Sequence, residues 1–194
     1  MSKNVVIIDY GAGNIDSVKY AFKRLGVEAT LTANPALVKA ADYVVFPGVG
    51  QAEAAMMALK EAGLVNVIKE LKQPVLGICL GMQLLCNSSE EGSEGLGVFD
   101  VDVKKMKEGV KVPHMGWNTI QPTSSNLFKG VPADSYMYFV HSYYAPDCKQ
   151  AIARSDYGQI FSSALQANNF YGCQFHPEKS GETGVQILKN FIEL

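Results

Sequence analysis

The chain has 194 residues, 47% of them hydrophobic, enough to bury a full core in one domain without disulfides or metals. A formal net charge of -2 argues against nucleic acid as the main partner, and the densest basic group (Lys104, Lys105, Lys107) is balanced by Asp100, Asp102 and Glu108. No apolar stretch approaches the roughly 18 residues needed to span a bilayer, and the start runs into an apolar strand too soon for a signal peptide. The expectation is a soluble, cytoplasmic protein without membrane contact.

Val5 to Ile8 is a continuous apolar run, as expected of a strand buried on both faces. Asn14 to Leu25 puts Ile15, Val18, Phe22 and Leu25 on one helical stripe, with Gly26 as C-terminal cap. Strands are predicted at Ala29 to Thr32 and Tyr43 to Phe46, with a short helix from Pro35 to Ala40 between them. Helix follows over Gln51 to Ala62 and Val65 to Leu71, and Pro74 introduces a strand from Val75 to Ile78. This alternation signals a parallel sheet covered by helices.

The second half changes character. Val98 to Met106 alternates in part, His114 to Ile120 reads as a strand, and Tyr136 to Tyr144 is aromatic and extended. Ala164 to Ala167 and Phe170 to Phe175 flank Asn168 and Asn169, a two-residue hairpin turn. A helix from Thr183 to Ile192 closes the chain. The prediction is one α/β domain over 1–194 with a mixed central sheet, its later strands partly antiparallel.

Four cysteines stand at 79, 86, 148 and 173 without a CxxC pair, so no disulfide framework is expected. Cys86, Cys148 and Cys173 read as small buried hydrophobes. Cys79 differs, because Gly77, Cys79 and Gly81 form Gly-x-Cys-x-Gly between an apolar strand and a helix, the pattern of a nucleophile elbow. Glycines there relieve collisions at a turn of unusual dihedrals. The helix start favours thiolate, and the Leu80 N–H is placed to donate to an oxyanion.

Phe175-His176-Pro177-Glu178 supplies the missing base. Residues two apart in extended chain face the same side, and the proline stiffens that relation. Glu178 is then placed to hold the His176 ring in the tautomer that accepts a proton from Cys79. The same His-x-Glu is half of a zinc deaminase signature, but no Pro-Cys-x-x-Cys follows, so no metal is expected. Tyr10 to Asn14 is glycine-rich yet matches neither phosphate-loop nor dinucleotide pattern. Pro47-Gly48-Val49-Gly50 taken alone is an ordinary glycine-rich turn.

Gly77 to Gln83, with His176-Pro177-Glu178, resembles the class I, triad-type glutamine amidotransferases. Four further segments make the likeness closest to the glutaminase subunits of imidazole glycerol phosphate synthase: Asp9 to Asn14, Pro47 to Gly50, Pro113 to Asn118 and Tyr138 to Tyr144. The resemblance implies a flavodoxin-like three-layer fold and a Cys79, His176, Glu178 triad. It implies an oxyanion hole from Leu80 and the Gly48–Val49 loop, and glutamine contacts at Gly50, Gln83, Glu91, Ser142 and Tyr143. Asn14, Trp117, Asn118, Tyr138 and Lys179 would face a separate (β/α)8-barrel cyclase subunit that consumes the ammonia; no cofactor is implied. His114 and His141 are read as packing or loop histidines. Alternatives that stay open are a glutaminase serving anthranilate, aminodeoxychorismate or pyridoxal phosphate synthesis, a non-catalytic scaffold, and a cysteine-based peptidase or stress protein on a related fold.

Overall fold

The computed structural model describes residues 3–11 and 15–194. All four side chains of β1 (Val5–Ile8) are buried, because the two faces of this strand both meet helices. Helix α1 (Ile15–Arg24) turns Val18, Ala21 and Phe22 inward. It ends where Gly26 takes φ 76, in the left-handed region that a helix stop favours. Beyond β2 (Ala29–Thr32), Asn34 caps α2 (Pro35–Lys39) by accepting the Ala36 N–H at 2.9 Å. Then come β3 (Tyr43–Gly48), α3 (Ala52–Glu61), α4 (Leu64–Glu70) and β4 (Val75–Cys79), which runs straight into α5 (Leu80–Leu84).

A small second sheet follows, from β5 (Cys86–Ser89), β6 (Ser93–Glu94) and β7 (Phe99–Lys105). The chain returns through β8 (His114–Pro122), β9 (Ser135–His141), β10 (Tyr143–Tyr144), β11 (Ala151–Asp156), β12 (Ile160–Ala167) and β13 (Phe170–Cys173), and ends with α6 (Gly181–Phe191). The main sheet has the order β2-β1-β3-β4-β13-β12-β11-β8-β9, and the small one β10-β7-β5-β6. From β2 to β13 all pairings are parallel; from β13 to β9 all are antiparallel. It is the mixed sheet of an α/β domain.

Period-two alternation splits each central strand between two cores. Val5, Ile7, Val45, Leu76 and Ile78 pack on one face with Phe22 of α1 and Phe191 of α6. Val6, Ile8, Val44, Phe46 and Val75 pack on the other with Leu59 of α3, Ile68 of α4 and Leu84 of α5. Each such side chain contributes about 1.5–3 kcal/mol of transfer free energy, so the three layers hold through both faces. Among the described residues no helix is long and apolar enough to cross a membrane.

Three expectations need correction. The extended segment from Tyr136 to Tyr144 is broken at Ser142, and its two parts enter different sheets: β9 pairs with β8, while β10 pairs with β7. Phe175 lies beyond β13, which ends at Cys173. And β5, β6 and β11 form where the sequence pattern predicts no strand. The hairpin between β12 and β13 does turn at Asn168, with φ 52.

Candidate active site

Parallel strands deliver their carboxyl ends to one edge, where crevices of open α/β sheets lie. There Gly48 of β3 stands in register with Cys79 of β4, and His176 follows β13 on the other side. Cys79 takes φ 53 and ψ -109, strained for a residue with a Cβ. The flanking glycines hold it so. A Cβ on Gly81 would stand 1.8 Å from the Phe46 carbonyl oxygen, and one on Gly77 would stand 2.8 Å from the Met82 nitrogen. Gly48 is also a contact glycine, since its Cβ would meet the Tyr10 hydroxyl at 2.4 Å. That hydroxyl donates to the Pro47 carbonyl at 2.8 Å, and burial pushes the phenol well above its ordinary range.

His176 is buried, and its Nδ1–H donates to Glu178 Oε1 at 2.8 Å. This leaves Nε2 for the cysteine side. The pair is not made across an extended strand: Pro177–Lys179 is a turn of 3-10 helix, and it curls Glu178 back under the ring. The Glu178 side chain is 1% exposed, and its Oε2 finds no donor among the described residues. Burial alone would discharge His176. Its hydrogen bonds to Cys79 and Glu178, and their negative charge, outweigh that and raise its pKa to about 10. The imidazole beside Cys79 is therefore cationic, while α5, which starts at the sulfur, is only five residues long.

A cleft of about 370 Å³ opens over Cys79. Val49, Gly50, Leu80, Gln83, Glu91, Ser142, Tyr143, His176 and Lys179 line it, together with Pro113, Val140 and His141, which sequence reasoning does not place there. Gly48 is buried beneath it. Gly50 holds φ 96, so the 48–50 loop crosses the cleft edge in a conformation open to glycine. Leu80 is the first residue of α5, so its N–H lacks an intrahelical acceptor. Glu91 approaches from the β5–β6 turn, where its Oε2 accepts the Ala52 N–H at the start of α3 at 2.7 Å. Ser142 is fixed by its carbonyl, which accepts the Met106 N–H at 3.0 Å.

The Tyr143 carbonyl is spent inside the protein: it accepts from Gln83 Nε2 at 2.9 Å and from His141 Nδ1 at 2.8 Å. Gln83 Nε2 also donates to Gln174 Oε1 at 3.0 Å, and Gln174 Nε2 lies 3.8 Å from Cys79 Sγ. Gln174 is fully buried, and the sequence reading misses it. Two signals were there: it stands two residues before His176, and it is an amide inside an apolar run, where a buried polar group must find partners. The two histidines read as packing residues form a buried pair, His114 Nδ1 to His141 Nε2 at 2.9 Å. Burial lowers His114 to about 4 and His141 to about 3, so both are neutral.

The residues expected at a partner surface separate by strand face. Met115 and Trp117 of β8 and Tyr136 of β9 are exposed, and the Trp117 ring meets Tyr138 edge-on at 5.8 Å. Register places Trp117 opposite Tyr138, so all four share one outer face. Asn118 alternates to the inner face, where its Nδ2 donates to the Asp156 carbonyl at 2.9 Å. Lys179 lies at the cleft, away from the core. Asn14 lies outside the described residues.

This combination of fold and site has relatives. Residues 6–194 match the family model described as glutamine amidotransferase class-I. The chain belongs to the class I glutamine amidotransferases. It is 59% identical over 194 residues to the imidazole glycerol phosphate synthase subunit HisH of Bacteroides fragilis, covering 98% of this chain and 99% of that one. The HisH protein of Escherichia coli K12 is 50% identical over 195 residues, covering 98% and 100%. Among solved structures, one of a glutamine amidotransferase superposes with a TM-score of 0.77 over 98% of this chain and 98% of that one. At 18% identity it shares the fold.

Proposed function

We propose that this chain is the glutaminase subunit of an imidazole glycerol phosphate synthase, working through a Cys79 thioester. The observation that carries the chemistry is the strained Cys79 facing a buried His176 whose Nδ1–H is held by Glu178 at 2.8 Å. The particular synthase follows from full-length identity to relatives of that name.

The Cys79 thiolate attacks the glutamine side-chain carbonyl carbon. The developing oxyanion takes the Leu80 N–H and a peptide N–H of the 48–50 loop, an arrangement worth several kcal/mol in a water-poor site. His176 donates the proton it already holds to the departing nitrogen, so ammonia leaves and a thioester remains. Neutral His176 then takes a proton from water, hydroxide adds to the thioester, and glutamate is released as the thiolate re-forms. Glu91, with one oxygen engaged by α3, offers the other to the substrate ammonium. Gln83 gives its N–H groups to Tyr143 and Gln174, which leaves its carbonyl oxygen for the substrate. Ser142, Tyr143 and Gly50 shape the carboxylate end.

Trp117 and Tyr138, with Lys179 at the cleft, are offered to a (β/α)8-barrel cyclase, a separate chain that condenses the ammonia with a phosphoribulosyl aminoimidazole-carboxamide ribonucleotide to give imidazole glycerol phosphate and an aminoimidazole carboxamide ribonucleotide. Three buried or half-buried free thiols besides Cys79 fit a cytoplasmic setting. The experiment is a covalent label. A diazo-ketone analogue of glutamine should add once, at Cys79, and excess glutamine should suppress it; labelling elsewhere, or indifference to glutamine, contradicts the reading.

A further inference from the structure

We propose that Gln174 supplies a fourth reacting-site side chain: its Nε2–H group stabilises the Cys79 thiolate, and the Tyr143 carbonyl fixes it in that orientation through Gln83. This deepens the glutaminase reading and rests on it.

The orientation follows from a chain of hydrogen bonds with one fixed end. A backbone carbonyl can only accept, so the atom of Gln83 at 2.9 Å from the Tyr143 oxygen must be its NH2. The same NH2 lies 3.0 Å from the Gln174 side chain, so the atom there must be the Gln174 oxygen. The remaining end of Gln174, its NH2, therefore points at Cys79 Sγ, 3.8 Å away. Neither amide can be flipped without setting two donors or two acceptors against each other in a buried place.

The second polar neighbour of the sulfur makes this donor matter. Cys79 Sγ also lies 3.5 Å from the Val140 carbonyl, a partner for the thiol S–H and a repulsive one for the thiolate. Gln174 is the complement: its donor gains as charge collects on sulfur. With Gln174 0% exposed, water does not compete for the donor. His176 supplies the positive charge from one side, and Gln174 a neutral, non-titrating dipole from another. The thiolate that leaves the thioester at turnover needs the same donor.

The test is the pH profile of Cys79 alkylation by iodoacetamide, read by peptide mass spectrometry. Gln174→Met keeps the volume and removes the donor; the pH of half-maximal rate should rise by about one unit, the size expected for one hydrogen bond to a charged group. Gln174→Glu, which sets a carboxylate beside the sulfur, should move it further, an order that packing damage alone does not produce. Both variants should lose about tenfold or more in kcat at neutral pH. Wild-type protein gives a check independent of variant folding: with 15N-glutamine labelling, the Gln174 side-chain amide signal should shift along the alkylation profile. A Gln174→Met profile superimposable on wild type, or an amide signal that stays still, overturns the proposal. If the glutaminase reading itself were wrong, wild type would show no glutamine protection of Cys79, a separate outcome.

Discussion

A single methyl group tests the elbow. In Gly81→Ala the new Cβ would sit 1.8 Å from the Phe46 carbonyl oxygen, and β3 lies inside the sheet and cannot move aside. We expect a loss of more than about 4 kcal/mol in urea unfolding, or no folded protein. Gly130→Ala is the contrast: φ is +76 but nothing lies within 4 Å, so the cost should be strain alone, about 1 kcal/mol. Proton linkage is equally local. His176 is raised to about 10 in the fold, so its stabilisation is complete below its unfolded pKa, about 6.5, and is lost as pH rises through 10. His114 and His141 run oppositely. Lowered by burial to about 4 and 3, they stay neutral while the unfolded chain takes up protons, so stability falls as pH drops below about 6.5. The urea midpoint should decline already between about pH 6.5 and 5, above most carboxylate titration; a flat line there contradicts the neutral pair. In catalysis, Glu178→Gln removes the negative partner of Nδ1–H, so the alkaline limb of kcat/KM should move down by at least about one unit.

At the level of elements, the β8–β9 ribbon separates two kinds of residue that the sequence places side by side. Trp117, 56% exposed and backed by Tyr138, has area to bury and little to lose in the free chain. Trp117→Ala should weaken cyclase binding at least about tenfold in calorimetric titration and leave the thermal midpoint nearly unchanged. Asn118→Ala should do the reverse, because its side chain ties β8 to the Asp156 carbonyl. The same alternation explains what was legible. Runs such as Val5 to Ile8 and Val75 to Ile78 announce strands because helices cover both faces. β11 does not: its inward residues are Ala151, Ala153 and Ser155, too small to mark a hydrophobic period. β5 is equally silent, since Cys86 to Ser89 become a strand only through pairing with β6 and β7. Cys79, His176 and Glu178 could be singled out from glycine, proline and spacing, whereas the route by which Glu178 reaches His176, a 3-10 turn, could not. Gln83 was legible as a cleft residue; its ties to Tyr143 and Gln174 depend on elements 60 and 91 residues away.

For the whole molecule, the fold sets Cys79 and His176 at a cleft, and on the proposed chemistry ammonia is what leaves it. Ammonia released into water at neutral pH is mostly ammonium, which has no lone pair for attack, so the product calls for a sheltered second site. The three-layer domain spends its chain on the main sheet, the small second sheet and their helices, and the exposed aromatic face of β8–β9 is the surface we propose for a second chain. The division of labour can be measured on the reconstituted synthase, with Cys79→Ala in place of wild type. Product formation from glutamine should fall to background, and product formation from ammonium salts should remain near the wild-type rate. Retained turnover with glutamine, or loss of the ammonium-driven reaction in an intact complex, would contradict a chain whose task is to make ammonia at Cys79 for a partner to consume.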